Sequence, residues 1–372
     1  MRIRYAASLF VICFVFGFST KAISQVSCQE TLNQAGAEFD AGRFYSLPTL
    51  LSNCLQSGFT QEQKFRAYYL LAQAYLVLND PIAAEDTYLK LLTVDPEFRP
   101  NEKDDPIDLV YLSRKFTSRP RFTPHYRIGG SFSFPRTIYS VNTFPASGST
   151  EVFPKFGFQL GAGLDWNIND NWSIGAEGNF ATKSFLAVTN RIAVNDDLSV
   201  TDKSSWFDFP IYVKYSYDSG TWRPFAYAGV ALNLLMSSSS SSVFNDRTEG
   251  SSNIRSTNGQ DENLLNKRNF LNRSILLGGG VKYKVGKNFV YADVRYMMGL
   301  NNLTIPEKNY YDANNELATS VTQDQFVNDF FRLDNVSISF GYVRPLYDPR
   351  KLKAINGKSF FRKIFRPRVK SK

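Results

Sequence analysis

Hydrophobic and polar positions along the chain keep three different rhythms. An apolar run fills residues 5–18. From Thr60 the apolar positions Phe65, Tyr68, Tyr69, Leu71, Ala72, Tyr75, Leu76 and Leu78 recur three and four apart, which predicts an amphipathic helix. Asn79-Asp80-Pro81 breaks it, and Pro81 suits the first turn of a second helix that carries Ile82, Ala84, Tyr88, Leu91 and Leu92 as far as Asp95-Pro96. Residues 28–57, with Phe39, Gly42, Phe44, Leu47 and Leu51, read as a weaker preceding helical pair, and 108–116 as a short closing helix. Beyond Pro124 the period falls to two. Eight strands are predicted, at 126–134, 155–166, 172–180, 206–217, 222–235, 274–285, 289–299 and 333–343.

Each strand sorts into two faces. One face collects apolar residues, such as Phe156, Phe158, Leu160 and Leu164, or Val336, Ile338, Phe340 and Tyr342, and no charge. The other collects Arg127, Lys155, Asp165, Glu177, Asp208, Lys214, Arg223, Lys282, Lys284, Asp293 and Arg295 among Gly and Ser. Three features turn the apolar face toward lipid. The charged face has the small residues that a crowded narrow lumen requires. Aromatics gather at strand ends, as Trp166 and Trp172 do around one turn and Tyr217 and Trp222 around the next. Tight turns at 167–171, 218–221 and 286–288 alternate with long polar connections at 135–154, 181–205, 236–273 and 300–332. The predicted fold class is α+β multidomain, with helical hairpins followed by an eight-stranded antiparallel transmembrane β-barrel. A barrel of that size is filled by its own side chains, so the lumenal charges are predicted to pair into a plug.

The charge balance locates the two ends. The 43 Lys and Arg exceed the 34 Asp and Glu, for a net +9, which by itself suggests nucleic acid. Residues 350–372 hold ten of the bases and no acid, however, and residues 1–24 hold three. Between 25 and 349 the chain is mildly acidic, so no nucleic-acid partner is expected. Arg2, Arg4, the apolar run and the small residues through Gln25 read as a signal peptide over 1–24, too short to span a bilayer comfortably. The competing reading is lipid attachment at Cys28, against which Gln25 stands where a leucine-like residue is needed. Export removes Cys13 and leaves Cys28 and Cys54 as an even pair in an oxidising compartment. A disulfide between them would contribute roughly 3 kcal/mol; two unpaired thiols are the alternative. In the tail, Arg362, Lys363, Arg366 and Arg368 interleave with Phe360, Phe361, Ile364 and Phe365, which suits either an anchor on an anionic leaflet or a solvated tail.

No catalytic, metal or cofactor constellation stands out. His125 is the only imidazole, and no nucleophile is set beside it by sequence. Asp208 and Glu177 have basic neighbours and read as ion-pair partners. Gly278-Gly279-Gly280 lies within a strand without a following helix, unlike a phosphate loop. The serine run 237–242 reads as low-complexity loop.

Two resemblances carry the reading further. Tyr68, Leu71, Ala72, Tyr75, Ala84, Tyr88 and Pro96 fall at the large, small, aromatic and proline positions of the tetratricopeptide repeat, whose surfaces dock peptides and proteins. The alternation Phe156-Gly157-Phe158-Gln159-Leu160-Gly161-Ala162-Gly163-Leu164 and the closing Val336-Ser337-Ile338-Ser339-Phe340-Gly341-Tyr342 resemble the PorT-like outer-membrane β-barrel family of Bacteroidota. The closing segment is similar to an aromatic assembly signal, with the departure that a long tail follows it. The resemblance implies an outer-membrane location and no single activity. The domains expected are a signal (1–24), a periplasmic helical domain (25–121), the barrel (126–345) and a basic periplasmic tail (346–372). The function expected is a non-enzymatic outer-membrane anchor embedded in lipid, presenting a docking domain to an unidentified periplasmic protein or peptide. Binding through the long outer loops is the second reading, and a narrow channel the third.

Overall fold

The structure is a computed structural model that describes residues 22–141, 147–191, 196–246, 255–259, 261–311, 317 and 327–352. Of the signal expected over 1–24, residues 1–21 lie outside the described residues, as do the tail bases Arg362, Lys363, Arg366 and Arg368, while 22–24 stand in the first helix. The chain divides into two compact units. One comprises residues up to Arg119 together with those from Tyr347 onward; the other runs from Pro120 to Leu346.

The first unit begins with α1 (Ala22–Asp40), α2 (Leu47–Gln56), α3 (Gln61–Val77), α4 (Pro81–Val94) and α5 (Ile107–Ser113). Thr60 opens α3 with a capping box, its side chain accepting from the Gln63 N–H while Gln63 accepts from the Thr60 N–H. The turn into α4 passes through Asn79 at φ 53°, and the Asp80 carboxylate caps the new helix ahead of Pro81. Ala72 and Ala84 are fully buried where α3 and α4 approach, in one cluster with Tyr88, Leu91 and Leu92. A disulfide joins Cys28 on α1 to Cys54 on α2, with the Cα atoms 5.7 Å apart. Leu32, Leu47 and Leu51 pack around it, each burial contributing about 1.5–3 kcal/mol. The region predicted as a helix to Phe116 stops at Ser113. Phe116 and Thr117 instead form a short strand β1, for a reason that becomes visible at the C-terminus.

The second unit contains β2 (Phe122–Tyr139), β3 (Ser147–Asn167), β4 (Trp172–Arg191), β5 (Asp196–Ser216), β6 (Trp222–Asp246), β7 (Arg255–Asn258), β8 (Glu262–Asn263), β9 (Leu271–Val285), β10 (Asn288–Gly299) and β11 (Phe330–Val343). All pairings are antiparallel. They run β2–β3–β4–β5–β6–β9–β10–β11 and return from β11 to β2, so the sheet closes on itself, while β7 and β8 add to the far end of β6. Gly220 (φ 80°) and Gly286 (φ 62°) supply the left-handed backbone that two of the tight turns need.

The strands are longer than predicted. Much of 135–154, 181–205 and 236–273 is ladder and not loop: Lys183 stands opposite Ser204, and Asp202 opposite Ser240. The serine run 237–242 is strand, paired with Val200–Ser205. Backbone hydrogen bonds hold a strand whatever its side chains, and a segment without an apolar face gives period-two reading little to detect. With 20–25 residues, β4, β5 and β6 exceed the roughly 9–11 needed to cross a bilayer, so they extend well past it.

The faces are inverted relative to a water-soluble protein. Phe156 and Phe340 are 68% and 64% exposed on the outside, whereas Arg295 and Asp293 are 3% and 4% exposed within. Trp172 packs on Tyr215 and Trp222 on Tyr283 near the tight turns, with ring centroids 5.1 and 4.7 Å apart. An apolar outside and a charged inside fit a bilayer as solvent.

Candidate functional site

The closed register brings together charges far apart in sequence. Because neighbouring strands are held at fixed register, every second residue of each strand points into one interior. Glu177 on β4 is its centre. It accepts a two-pronged pair from Arg295 of β10 (2.8 and 2.9 Å), a 3.3 Å bond from Arg127 of β2 and a 2.9 Å bond from Asn179. Arg127 also reaches Asp293 at 3.3 Å and Ser339 at 2.6 Å, and Tyr227 donates to Asp293. Arg295 closes the cycle by donating to the Tyr227 hydroxyl at 3.0 Å.

Toward the tight turns, Lys214 and Tyr212 both bond Asp165, at 2.8 and 2.9 Å. Arg223 pairs with Asp218 at 2.8 Å and lies over Phe289, while Lys282 reaches the Ser216 hydroxyl at 3.3 Å. Lys284 is half-buried at the same end, its backbone N–H donating to Thr221. Toward the opposite end, Asp208 takes Lys183 (3.1 Å) and Asn233 (2.6 Å), and Lys155 bonds the Thr201 hydroxyl at 2.9 Å. Farther along, Arg268 pairs with Asp202, and Leu303 packs with Phe185, Trp206, Leu235 and Phe331. The interior is thus filled at that end by residues from the β8–β9 and β10–β11 connections.

All eleven charged residues marked from the sequence lie on strands of this one ring, and seven of them contact a partner of opposite sign inside it: Arg127, Asp165, Glu177, Asp208, Lys214, Asp293 and Arg295. Arg223 finds its acid in a turn, and Lys155 and Lys282 bond hydroxyls. Several members were missed. His125, placed before the first strand, lies within β2 and puts Nε2 3.2 Å from Glu177 and 3.4 Å from the Tyr212 hydroxyl. The signal was present, since His125 shares the parity of Arg127. Lys183, Asp202 and Arg268 were missed because the segments holding them read as loops. Among the described residues no set of His, Cys, Asp and Glu stands close enough to hold a metal ion.

Glu177, Arg127, Asp293 and Arg295 each stand against a group of opposite charge or a hydroxyl, while Arg127 Nε, His125 Nδ1 and Asn179 Oδ1 are buried without a hydrogen bond. Taking such ions from water is offset only when each finds a partner of good geometry, and removing one partner costs about 3–5 kcal/mol. In the helical unit, burial and a hydrogen bond to Asp105 push the Tyr69 phenol up to about 12, and burial does the same for Tyr88. The Glu85 carboxyl is held below the usual carboxylate range, chiefly by the hydrogen bond from Lys351 and then by that from Lys115.

The family model described as outer membrane protein beta-barrel domain matches residues 118–304. No curated protein matches the chain. Among solved structures, the outer membrane protease OmpT from Escherichia coli is 13% identical, covering 62% of this chain and 97% of its own, with a TM-score of 0.36. The outer membrane protein OprG from Pseudomonas aeruginosa is 10% identical over 63% and 99%, with a TM-score of 0.34. The outer membrane enzyme PagL is 14% identical over 60% and 99%, with a TM-score of 0.23. The expectation that the chain is not an enzyme is corrected: the similar solved structures include a protease, OmpT, and an enzyme, PagL.

Proposed function

The chain belongs to the outer membrane protein β-barrel domain family, and from that premise we propose that it anchors a periplasmic docking domain in the outer membrane. In this reading the barrel is eight-stranded and PorT-like, the helices are tetratricopeptide-like, and both the helical unit and the tail lie in the periplasm. The observation that carries it is the interior. Glu177, Arg295, Arg127 and Asp293 are linked by hydrogen bonds across it, which favours an anchor over a channel. The surface left for a partner is that of the helical unit, where Tyr45, Ile82 and Tyr111 are exposed. The closed ring of pairings supports the strand count, and the tight approach at Ala72 and Ala84 supports the repeat resemblance.

Crosslinking in cells followed by mass spectrometry tests the reading. Deleting residues 25–121 should abolish the crosslinked partner while leaving the barrel inserted. An unchanged crosslinking pattern would overturn it, and loss of the pattern on trimming 236–273 instead would move function to the outer connections.

A further inference from the structure

The helical unit contains a strand that no helix supplies. Residues Arg350–Lys351 form β12, antiparallel to β1, with Lys351 opposite Phe116 and Arg350 opposite Thr117. The Leu352 N–H continues the ladder to the Lys115 carbonyl at 2.7 Å. Two carboxylates on separate stretches of the unit read the side chains. Glu85 on α4 takes Lys351 at 2.5 Å, and Glu97, after α4, takes the Tyr347 hydroxyl at 2.7 Å. Tyr347 and Lys351 are therefore gripped four residues apart, with main-chain bonds at one end. An extended peptide added to a strand is held in the same way, here on the lone segment 115–117: backbone bonds give affinity and side-chain partners give selectivity.

We propose that the 115–117 edge, with Glu85 and Glu97, is a strand-addition site for an extended basic segment, and that residues 347–352 occupy it in cis. A partner segment carrying an aromatic residue four positions before a lysine or arginine gains the same contacts only by displacing the chain's own. The short ladder and the solvent-exposed Lys351 suit exchange. This deepens the docking reading above by naming where on the helical unit a partner strand lies.

The test uses a fluorescent synthetic peptide of residues 345–354 and the full chain in detergent micelles. A variant truncated after Leu346 should bind the peptide, and the intact chain should bind it about tenfold more weakly, because its site is filled. A Lys351→Glu peptide should bind the truncated variant up to about fivefold more weakly, as for an exposed ion pair, and Glu85→Lys in the protein should restore it. Equal binding to intact and truncated chains overturns the proposal, as does no binding to a truncated chain whose helical unit still resists protease. Should truncation prevent folding, an intact Thr117→Cys, Arg350→Cys variant decides. Oxidation should crosslink the opposed positions and abolish residual peptide binding; absence of the crosslink overturns cis occupancy. Peptide exchange that succeeds while the cellular crosslinks survive deletion of 25–121 would sink the docking reading and leave the site standing. The reverse outcome would leave docking on another surface.

Discussion

Arg295 and Glu177 show what a single residue is worth in this interior. Replacing Arg295 with Leu strands a carboxylate that now receives two bonds from it, and should destabilise the barrel by about 3–5 kcal/mol. Adding Glu177→Leu should recover part of that loss, since both charges then leave together. Tryptophan fluorescence during denaturant unfolding reads this directly, because all four tryptophans (166, 172, 206 and 222) lie on barrel strands. Gly163 tests the space beside the network. A Cβ there would stand 2.5 Å from His125 Nε2 and 2.6 Å from Glu177 Cγ, so Gly163→Val should destabilise by about 1–3 kcal/mol or more in the same measurement. The type and parity of these residues are visible in sequence. Their partners are not, because a bond such as Arg127 to Asp293 joins positions 166 residues apart and depends on ring closure.

Helices and strands differed in how openly the sequence declared them. The α3–α4 hairpin is marked by capping residues and by a period set by burial, so its pattern and its packing coincide. Ala84→Leu should force the two helices apart and reduce stability by about 1–3 kcal/mol, measured as earlier loss of the helical circular dichroism signal. Replacing Cys28 and Cys54 with serine should remove roughly 3 kcal/mol from the same transition. Strand ends were hidden for a physical reason. Where β5 and β6 run past the bilayer, nothing demands an apolar face, and the buried Ser238 and Ser240 stand opposite Ser204 and Asp202 in the ladder. Alternation reports the solvent around a strand more faithfully than it reports the strand.

On the scale of the whole molecule, pattern reading recovered a helical part and a membrane barrel but assigned the C-terminal segment to a separate tail. Its attachment depends on Glu85, which no local pattern near residue 350 announces. The carboxyl of Glu85 titrates below its ordinary value in the folded chain, so its contribution is present above the ordinary carboxylate pKa of about 4.3 and is lost as pH falls through the depressed value. Hydrogen exchange at the Leu352 amide, corrected for its intrinsic pH dependence, should therefore accelerate in acid and in high salt. It should stay unchanged between pH 6 and 8.

The segment also alters the order of events in the life of the chain. Since Tyr347–Leu352 belongs with residues preceding Arg119, the barrel is, in architectural language, an insertion into a discontinuous helical module. Translation and export deliver the first part of that module more than two hundred residues before its last strand. A nascent chain therefore presents β1 without its pairing partner until the barrel's closing strand has emerged.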